Sequence, residues 1–232
     1  MKLSLIIPIY NEQDTVARLL EKVAQVKEIH QVVIVDDGSQ DDSVEEIKKF
    51  LQGLKRKDQK TADRFEFYEK ENGGKGSAVR YGLERVTGDY VLIQDADLEY
   101  DPADIPSMLQ FLEKEGVEVV YGSRFIGPHS NLLFWHRVGN NMLNLIVNIL
   151  YNTTLSDMET CYKLVPTELL KDLDLKANSF ELEPEITCKI LRRGINIFEM
   201  PISYVGRGFE DGKKITWKDG FVALKQIIKL RF

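Results

Sequence analysis

Cysteine is scarce: Cys161 and Cys188 are the only two in 232 residues, with no CxxC spacing, and His30, His129 and His136 are widely scattered. That excludes a disulfide framework and a cysteine–histidine zinc site, and it suits a reducing compartment. Also lacking is any uninterrupted apolar run of about 18 residues. The nearest, Leu132 to Tyr151, is broken by His136, Arg137, Asn140, Asn141, Asn144 and Asn148, so no membrane-spanning helix is expected. The start, "MKLSLIIPIYNE", has a lone lysine and too short an apolar stretch for a secretory signal; it reads as a strand. No GxGxxG follows it, which leaves a dinucleotide oxidoreductase without support. A basic surplus is missing too: the net charge is −6, against a general nucleic-acid binder.

What is present is a globular composition, 43% hydrophobic, enough for one large core. The apolar runs "LSLIIPI", "QVVIVD", "FEFYEK", "YVLIQD" and "VEVVYG" alternate with amphipathic patterns near 14–26, 42–54, 75 onward and 102–115. Runs of that kind, separated by helices, describe an α/β fold with a mixed, mainly parallel central sheet and helices on both faces. Asp41 and Asp101 signal helix starts; Gly53, Gly116 and Gly194 signal stops, and 53–64 reads as a surface loop or helix extension. Past Ser123 the alternation fails. A long helix (about 134–151), a strand "TCYKLV", a helix (about 183–193) and a strand "INIFEMPISYV" complete the sheet with antiparallel or mixed elements. A first domain is therefore expected over 1–206. The segment 207–232 is set apart as a basic loop and amphipathic helix with seven basic and three acidic residues.

The stretch "YVLIQDADLEY" ends a buried strand in Asp95, Asp97 and Glu99. Carboxylates this close repel one another unless they share a cation, and hard divalent cations prefer oxygen ligands. Solvated acids in a turn are the plainer alternative. Three more polar loops fall at the same expected sheet edge: "PIYNE", "VDDGS" and "NGGKGSAVRYG". There Asp36 and Asp37 suit either a ribose or base contact or a helix cap, and "GGKG" suits either a phosphate cradle or a simple turn.

Together "SLIIPIYNE", "VVIVDDGSQDDS", "NGGKGSAVRYGLERVTGDYVLIQDADLEYDP" and "VVYGSRF" resemble, in order, the motifs of family 2 glycosyltransferases of the Rossmann-like GT-A fold, near the dolichol-phosphate mannose and polyprenyl-phosphate glucose synthases. The likeness covers about residues 1–205. It implies a nucleotide-sugar site made by Pro8, Tyr10, Asn11, Glu12, Asp37, Lys75, Gly76, Asp95, Ala96, Asp97 and Arg124. It further implies Mg²⁺ or Mn²⁺ held by Asp95, Asp97 and Glu99, where relatives also carry Gln at the last position. Asp97, Arg124 and Asp157 would serve catalysis, Asp157 as weak base or as orienting group, with Glu159 as substitute. "TCYK" stands where relatives often have "TGFK" or "SGFR".

The implied activity is an inverting hexosyltransferase that moves a hexose from a GDP-mannose or UDP-glucose type donor to a polyprenyl or dolichyl phosphate. A phosphate acceptor is already largely dianionic at neutral pH and needs cations rather than a base. Arg137, Arg207 and Lys213 or Lys214 are the candidates, since guanidinium forks suit phosphate oxygens. Apolar stripes on two helices, Phe134, Trp135, Val138, Met142, Leu145, Ile146 and Ile149 on one and Trp217, Phe221, Leu224 and Ile228 on the other, suit either a membrane surface or core and dimer contacts. With Lys218, Lys225, Lys229 and Arg231 beside the second stripe, a peripheral seat on the cytoplasmic face of the membrane is expected, with a homo-oligomer as the other use of these stripes. The rival readings are a transferase to a sugar hydroxyl, which would require a base, and a non-catalytic nucleotide-binding module.

Overall fold

The computed structural model describes residues 1–127, 134–206 and 217–232. Strands β1 (Leu3–Ile9), β2 (Ile29–Asp36), β3 (Phe65–Glu69) and β4 (Tyr90–Ile93) lie parallel. Their crossovers are α1 (Val16–Gln25), α2 (Ser43–Lys57) with the short α3 (Gln59–Ala62), and α4 (Lys75–Leu83). A 3₁₀ turn, Pro102–Asp104, and α5 (Ile105–Leu112) lead to β5 (Val119–Ser123). Then come α6 (Phe134–Tyr151), β6 (Lys163–Pro166), α7 (Thr167–Asp172), α8 (Leu182–Arg192), β7 (Ile197–Pro201) and α9 (Trp217–Arg231).

Among the described residues the strands form one sheet in the order β3-β2-β1-β4-β6-β5-β7. Only β6 is reversed: it is antiparallel to both β4 and β5, while β5 and β7 pair in parallel. The carboxyl ends of the other strands and the amino end of β6 therefore share one edge. Leu5, Ile6, Ile7, Val33, Ile34 and Val35 are all 0% exposed, as strands covered on both faces require. Their side chains alternate between two cores, Leu5 and Ile7 toward α1 and α5, Ile6 toward α4 and α8. Each such burial contributes about 1.5–3 kcal/mol, which makes the strands a rigid support for that edge.

The parallel-then-mixed sheet and the helices on both faces agree with the sequence reading. Some local signals do not. Gly53 does not stop a helix: α2 runs through it to Lys57 and α3 follows almost at once, so of the two readings of 53–64 the helix extension holds. Helix α7 was not anticipated, and the strand expected from "TCYKLV" begins only at Lys163.

A third core joins α6, α8 and α9 through Leu143, Val147, Cys188, Ala223 and Ile227. The apolar residues that the sequence placed on stripes lie mostly outside it. Phe134, Trp135, Met142, Leu145, Ile149, Phe221 and Ile228 are exposed, Phe134 and Trp135 at 69% and 77%. No helix among the described residues is long and apolar enough to cross a membrane.

Candidate active site

The loops after β1 and β2 are laced together by hydrogen bonds. Asn11 and Glu12 donate their amides to Ser39 Oγ and Ser43 Oγ at 3.0 and 2.8 Å, and Asn11 Oδ1 accepts from Gln40 N–H at 2.8 Å. Asn11 takes a left-handed φ of 51°, a conformation asparagine tolerates better than most residues. Tyr10, at the mouth of this pair of loops, is 37% exposed. Asp37 is buried. Its carboxylate accepts the amides of Gly73 and Gly74 at 3.0 and 2.7 Å and the Lys70 ammonium at 2.5 Å. The glycine turn is thus closed on the protein's own carboxylate, and its first two amides are not a ready phosphate cradle. Gly76 is likewise a packing residue here, because a Cβ would collide with the Ala177 carbonyl.

Lys75, the first residue of α4, bridges two acids. Its Nζ lies 2.8 and 3.0 Å from the oxygens of Asp95 and 2.7 Å from Glu183 Oε1 on α8. Burial alone would lower its pKa, but Asp95 and Glu183 outweigh it and hold the ammonium well above its ordinary value. Glu183 is 4% exposed and its Oε2 has no partner among the described residues. The sequence reading missed Glu183 because it lies 108 positions from Lys75; the local trace is an acid at the start of an expected helix.

Past β4, buried Gln94 accepts the Tyr162 hydroxyl at 2.5 Å and anchors the strand's end. Asp97 Oδ1 then accepts the Glu99 amide at 3.1 Å across Leu98, which adopts a left-handed φ of 61°. That is an Asx turn holding a strained, non-glycine backbone. Glu99 Oε2 accepts the Tyr204 hydroxyl at 2.6 Å. Ala96 is buried, while Asp95, Asp97 and Glu99 are part-exposed.

Among the described residues no three His, Cys, Asp or Glu side chains form a ready metal cage. The donor chemistry still fits Mg²⁺ or Mn²⁺. Such ions are commonly held by one or two carboxylates and complete their shell with substrate phosphates and water. Asp95, Asp97 and Glu99 are the carboxylates that would hold it, Asp95 also facing Lys75 and Glu99 also accepting from Tyr204.

Arg124 follows β5 and is tied to Asp157. Its Nε and Nη2 donate to Asp157 Oδ2 and Oδ1 at 2.8 and 2.7 Å, and its amide donates to Oδ2 at 2.9 Å. Asp157 is 0% exposed. Burial opposes the guanidinium's charge, but Asp157 and Tyr100 outweigh it and push its pKa well above the usual value. The guanidinium lies 5.3 Å from the Tyr204 ring and 5.4 Å from the Phe125 ring, and Arg137 lies 3.9 Å from that same Phe125 ring. Tyr204 thereby joins Glu99 to Arg124, and Phe125 joins Arg124 to Arg137. The expected acceptor cations Arg207, Lys213 and Lys214, and the Trp217 side chain, lie outside the described residues.

Close by, Glu159 has a buried Oε1 with no partner among the described residues. Burial pushes its carboxyl up to about 7, against the pull of Lys163 and Arg124. The folded chain then keeps a proton that an unfolded chain releases near 4.5, so stability falls as pH rises between 4.5 and about 7. Glu159→Gln removes that slope. The variant should gain about 2 kcal/mol on wild type between pH 5 and pH 8 in urea unfolding. An equal difference at both pH values would refute the assignment.

A model of the family described as glycosyl transferase family 2 matches residues 4–174. The low-salt glycan biosynthesis hexosyltransferase of Haloferax volcanii is 27% identical over 208 residues, 87% of this chain and 47% of its own. The dodecaprenyl-phosphate galacturonate synthase of Rhizobium johnstonii is 26% identical over 213 residues, 89% of this chain and 60% of its own. The chain thus spans about half the length of these curated relatives. Among solved structures, glucosyl-3-phosphoglycerate synthase from Mycobacterium tuberculosis, in complex with Mn²⁺, uridine diphosphate and phosphoglyceric acid, superposes with a TM-score of 0.75. It is 16% identical and matches 99% of this chain and 78% of its own, a likeness of fold. That fold is the GT-A arrangement expected from the sequence.

Proposed function

The chain belongs to glycosyl transferase family 2 and is a glycosyltransferase, and from that premise we propose that it moves a hexose from a nucleotide sugar to a polyprenyl or dolichyl phosphate, with inversion at the anomeric carbon. The observation that carries the choice of acceptor is the Arg124–Asp157 pair. Asp157 is the acid that this reading would call on as base for a hydroxyl acceptor, yet it is fully buried with both oxygens on Arg124. A phosphate monoester needs no base, and two arginines around Phe125 offer it cations. The named activities of the two curated relatives, hexosyl transfer and a prenyl-phosphate product, agree with this reading.

In this reading Tyr10, Asn11, Glu12 and Pro8 line the nucleoside side, and Asp37 shapes it by closing the glycine turn. A divalent cation held by Asp97, with Asp95 and Glu99 beside it, would neutralise the departing diphosphate. Lys75 adds a fixed positive charge next to Asp95. Arg124 and Arg137 orient the acceptor phosphate so that its oxygen faces the anomeric carbon from the side opposite the diphosphate, a contribution of position and electrostatics. The donor class is of GDP-mannose or UDP-glucose type.

A second reading, transfer to a sugar hydroxyl, is favoured by one observation: Glu159 has the unpartnered oxygen and elevated pKa of a base. The test is a matrix of UDP-glucose and GDP-mannose against undecaprenyl phosphate, dolichyl phosphate and free hexoses with Mg²⁺ or Mn²⁺, repeated with Glu159→Gln. Lipid-linked product with turnover kept in the variant supports the phosphate acceptor. Transfer to a free hexose, abolished in the variant, overturns it.

The exposed apolar residues of α6 and α9, beside the exposed Lys225, Lys229 and Arg231, support a seat on an anionic bilayer surface at the cytoplasmic face. Replacing Phe134 and Trp135 by serine should weaken sedimentation with phosphatidylglycerol vesicles by roughly tenfold. Equal binding by the variant would show that the membrane lies elsewhere.

A further inference from the structure

Asparagines interrupt the apolar pattern of α6, and two of them, one turn apart, grip the loop that follows the helix. Asn144 Oδ1 accepts the Met158 amide at 2.8 Å while its Nδ2 donates to the Ser156 carbonyl at 2.6 Å. Asn148 Oδ1 accepts the Leu155 amide and its Nδ2 donates to the Leu155 carbonyl, both at 2.9 Å. From the opposite side, Glu199 on β7 accepts the Ser156 amide at 2.8 Å, the Ser156 hydroxyl at 2.9 Å and the Asp157 amide at 3.0 Å. The Ser156 hydroxyl also pairs at 2.7 Å with that of Ser123, the residue before Arg124.

The backbone of 155–158 is therefore clamped from a helix and from a strand, and the residue inside the clamp is Asp157. Apolar side chains would pack α6 with no polar group to satisfy. A buried amide whose donor and acceptor both engage one short backbone segment instead fixes where that segment lies. Glu199 does the same from β7, although burial pushes its carboxyl pKa up against the hydrogen bonds from Ser156 and Asp157. Among the described residues, the side chain that these contacts leave to pair with the Asp157 carboxylate is the Arg124 guanidinium.

We propose that Asn144, Asn148 and Glu199 are positioning residues for Arg124, acting through the 155–158 segment and the Asp157 carboxylate. The functional side of this rests on reading Arg124 as a phosphate-binding group; the geometric side does not. The full-length protein, labelled with ¹⁵N-arginine, gives a direct readout in the Arg124 Nε–H that donates to Asp157, assigned by its absence from the spectrum of Arg124→Lys. Asn144→Ala and Glu199→Gln should speed exchange of that proton with water by roughly tenfold, the equivalent of one lost hydrogen bond. Ile47→Val, a destabilising change in a different core, should leave it unmoved. Ser156→Ala, which removes only the hydroxyl contacts, serves where Asn144→Ala fails to fold, and it should shift exchange in the same direction. Unchanged exchange in every folded clamp variant overturns the proposal and leaves the clamp a structural contact. Faster exchange with undiminished transfer of hexose to undecaprenyl phosphate upholds the positioning and overturns the phosphate reading of Arg124 instead.

Discussion

Arg124→Met should lose both stability and activity, about 3–5 kcal/mol of the first and on the order of 10³-fold of the second. The stability loss follows from Asp157. Its carboxylate is 0% exposed and receives two side-chain hydrogen bonds from the guanidinium, so the substitution leaves a buried charge with only backbone amide support. For a chain of this length the melting temperature should drop by about 10 °C. Adding Asp157→Asn removes the stranded charge, so the double variant should recover much of the stability. It should recover none of the activity, because the cation is still missing. Urea unfolding of the four members of the cycle, run beside a transfer assay, separates the two effects. Recovery of turnover along with stability would mean that Arg124 serves the fold alone.

The cycle rests on a pairing that the sequence could not reveal. Arg124 and Asp157 each stood out as candidates, but 33 positions separate them and nothing local says that one neutralises the other. Lys75 with Glu183, Glu99 with Tyr204 and Asp157 with Glu199 are the same case: each contact is made by strands and helices converging at one sheet edge. The apolar runs of β1, β2 and β4 followed by acids follow from strands buried on both faces whose loops meet solvent at one end.

Local errors also have local causes. A glycine in a helix interior costs about 1 kcal/mol, which α2 overcomes because Leu51 and Leu54, on either side of Gly53, pack against the core. Helix α7 carries its signal in "TELLKD", with an acid in the first turn and Leu169 and Leu170 buried, but its six residues are too few for periodicity to announce them. The stripes on α6 and α9 were legible as stripes. Which way they faced depended on Leu143, Val147, Ala223 and Ile227 forming the inner contact, a tertiary choice.

Within the acidic turn, the three carboxylates should not be equivalent, and Asp97→Asn should be the most damaging to catalysis. The amide keeps an oxygen for the Glu99 N–H, so the Asx turn and the left-handed Leu98 persist, and the loss isolates the negative charge. If Asp97 holds the proposed cation at the diphosphate, removing its charge should cost roughly 10³-fold in kcat. Glu99→Gln should cost far less, since its Oε2 already serves the Tyr204 hydroxyl and a glutamine oxygen can replace it there. Asp95→Asn should fall between the two and act differently: among the described residues it leaves Lys75 with Glu183 as its acidic partner, and so changes the charge at the proposed diphosphate site. Binding supplies a readout free of turnover. Mn²⁺ with UDP or GDP at about 100 times their dissociation constant should stabilise the wild type by about 2.7 kcal/mol, and Asp97→Asn should lose most of the part that depends on Mn²⁺. If Asp97→Asn instead keeps both the Mn²⁺-dependent shift and turnover within tenfold of wild type, the acids at this strand's end hold the turn and not the ion.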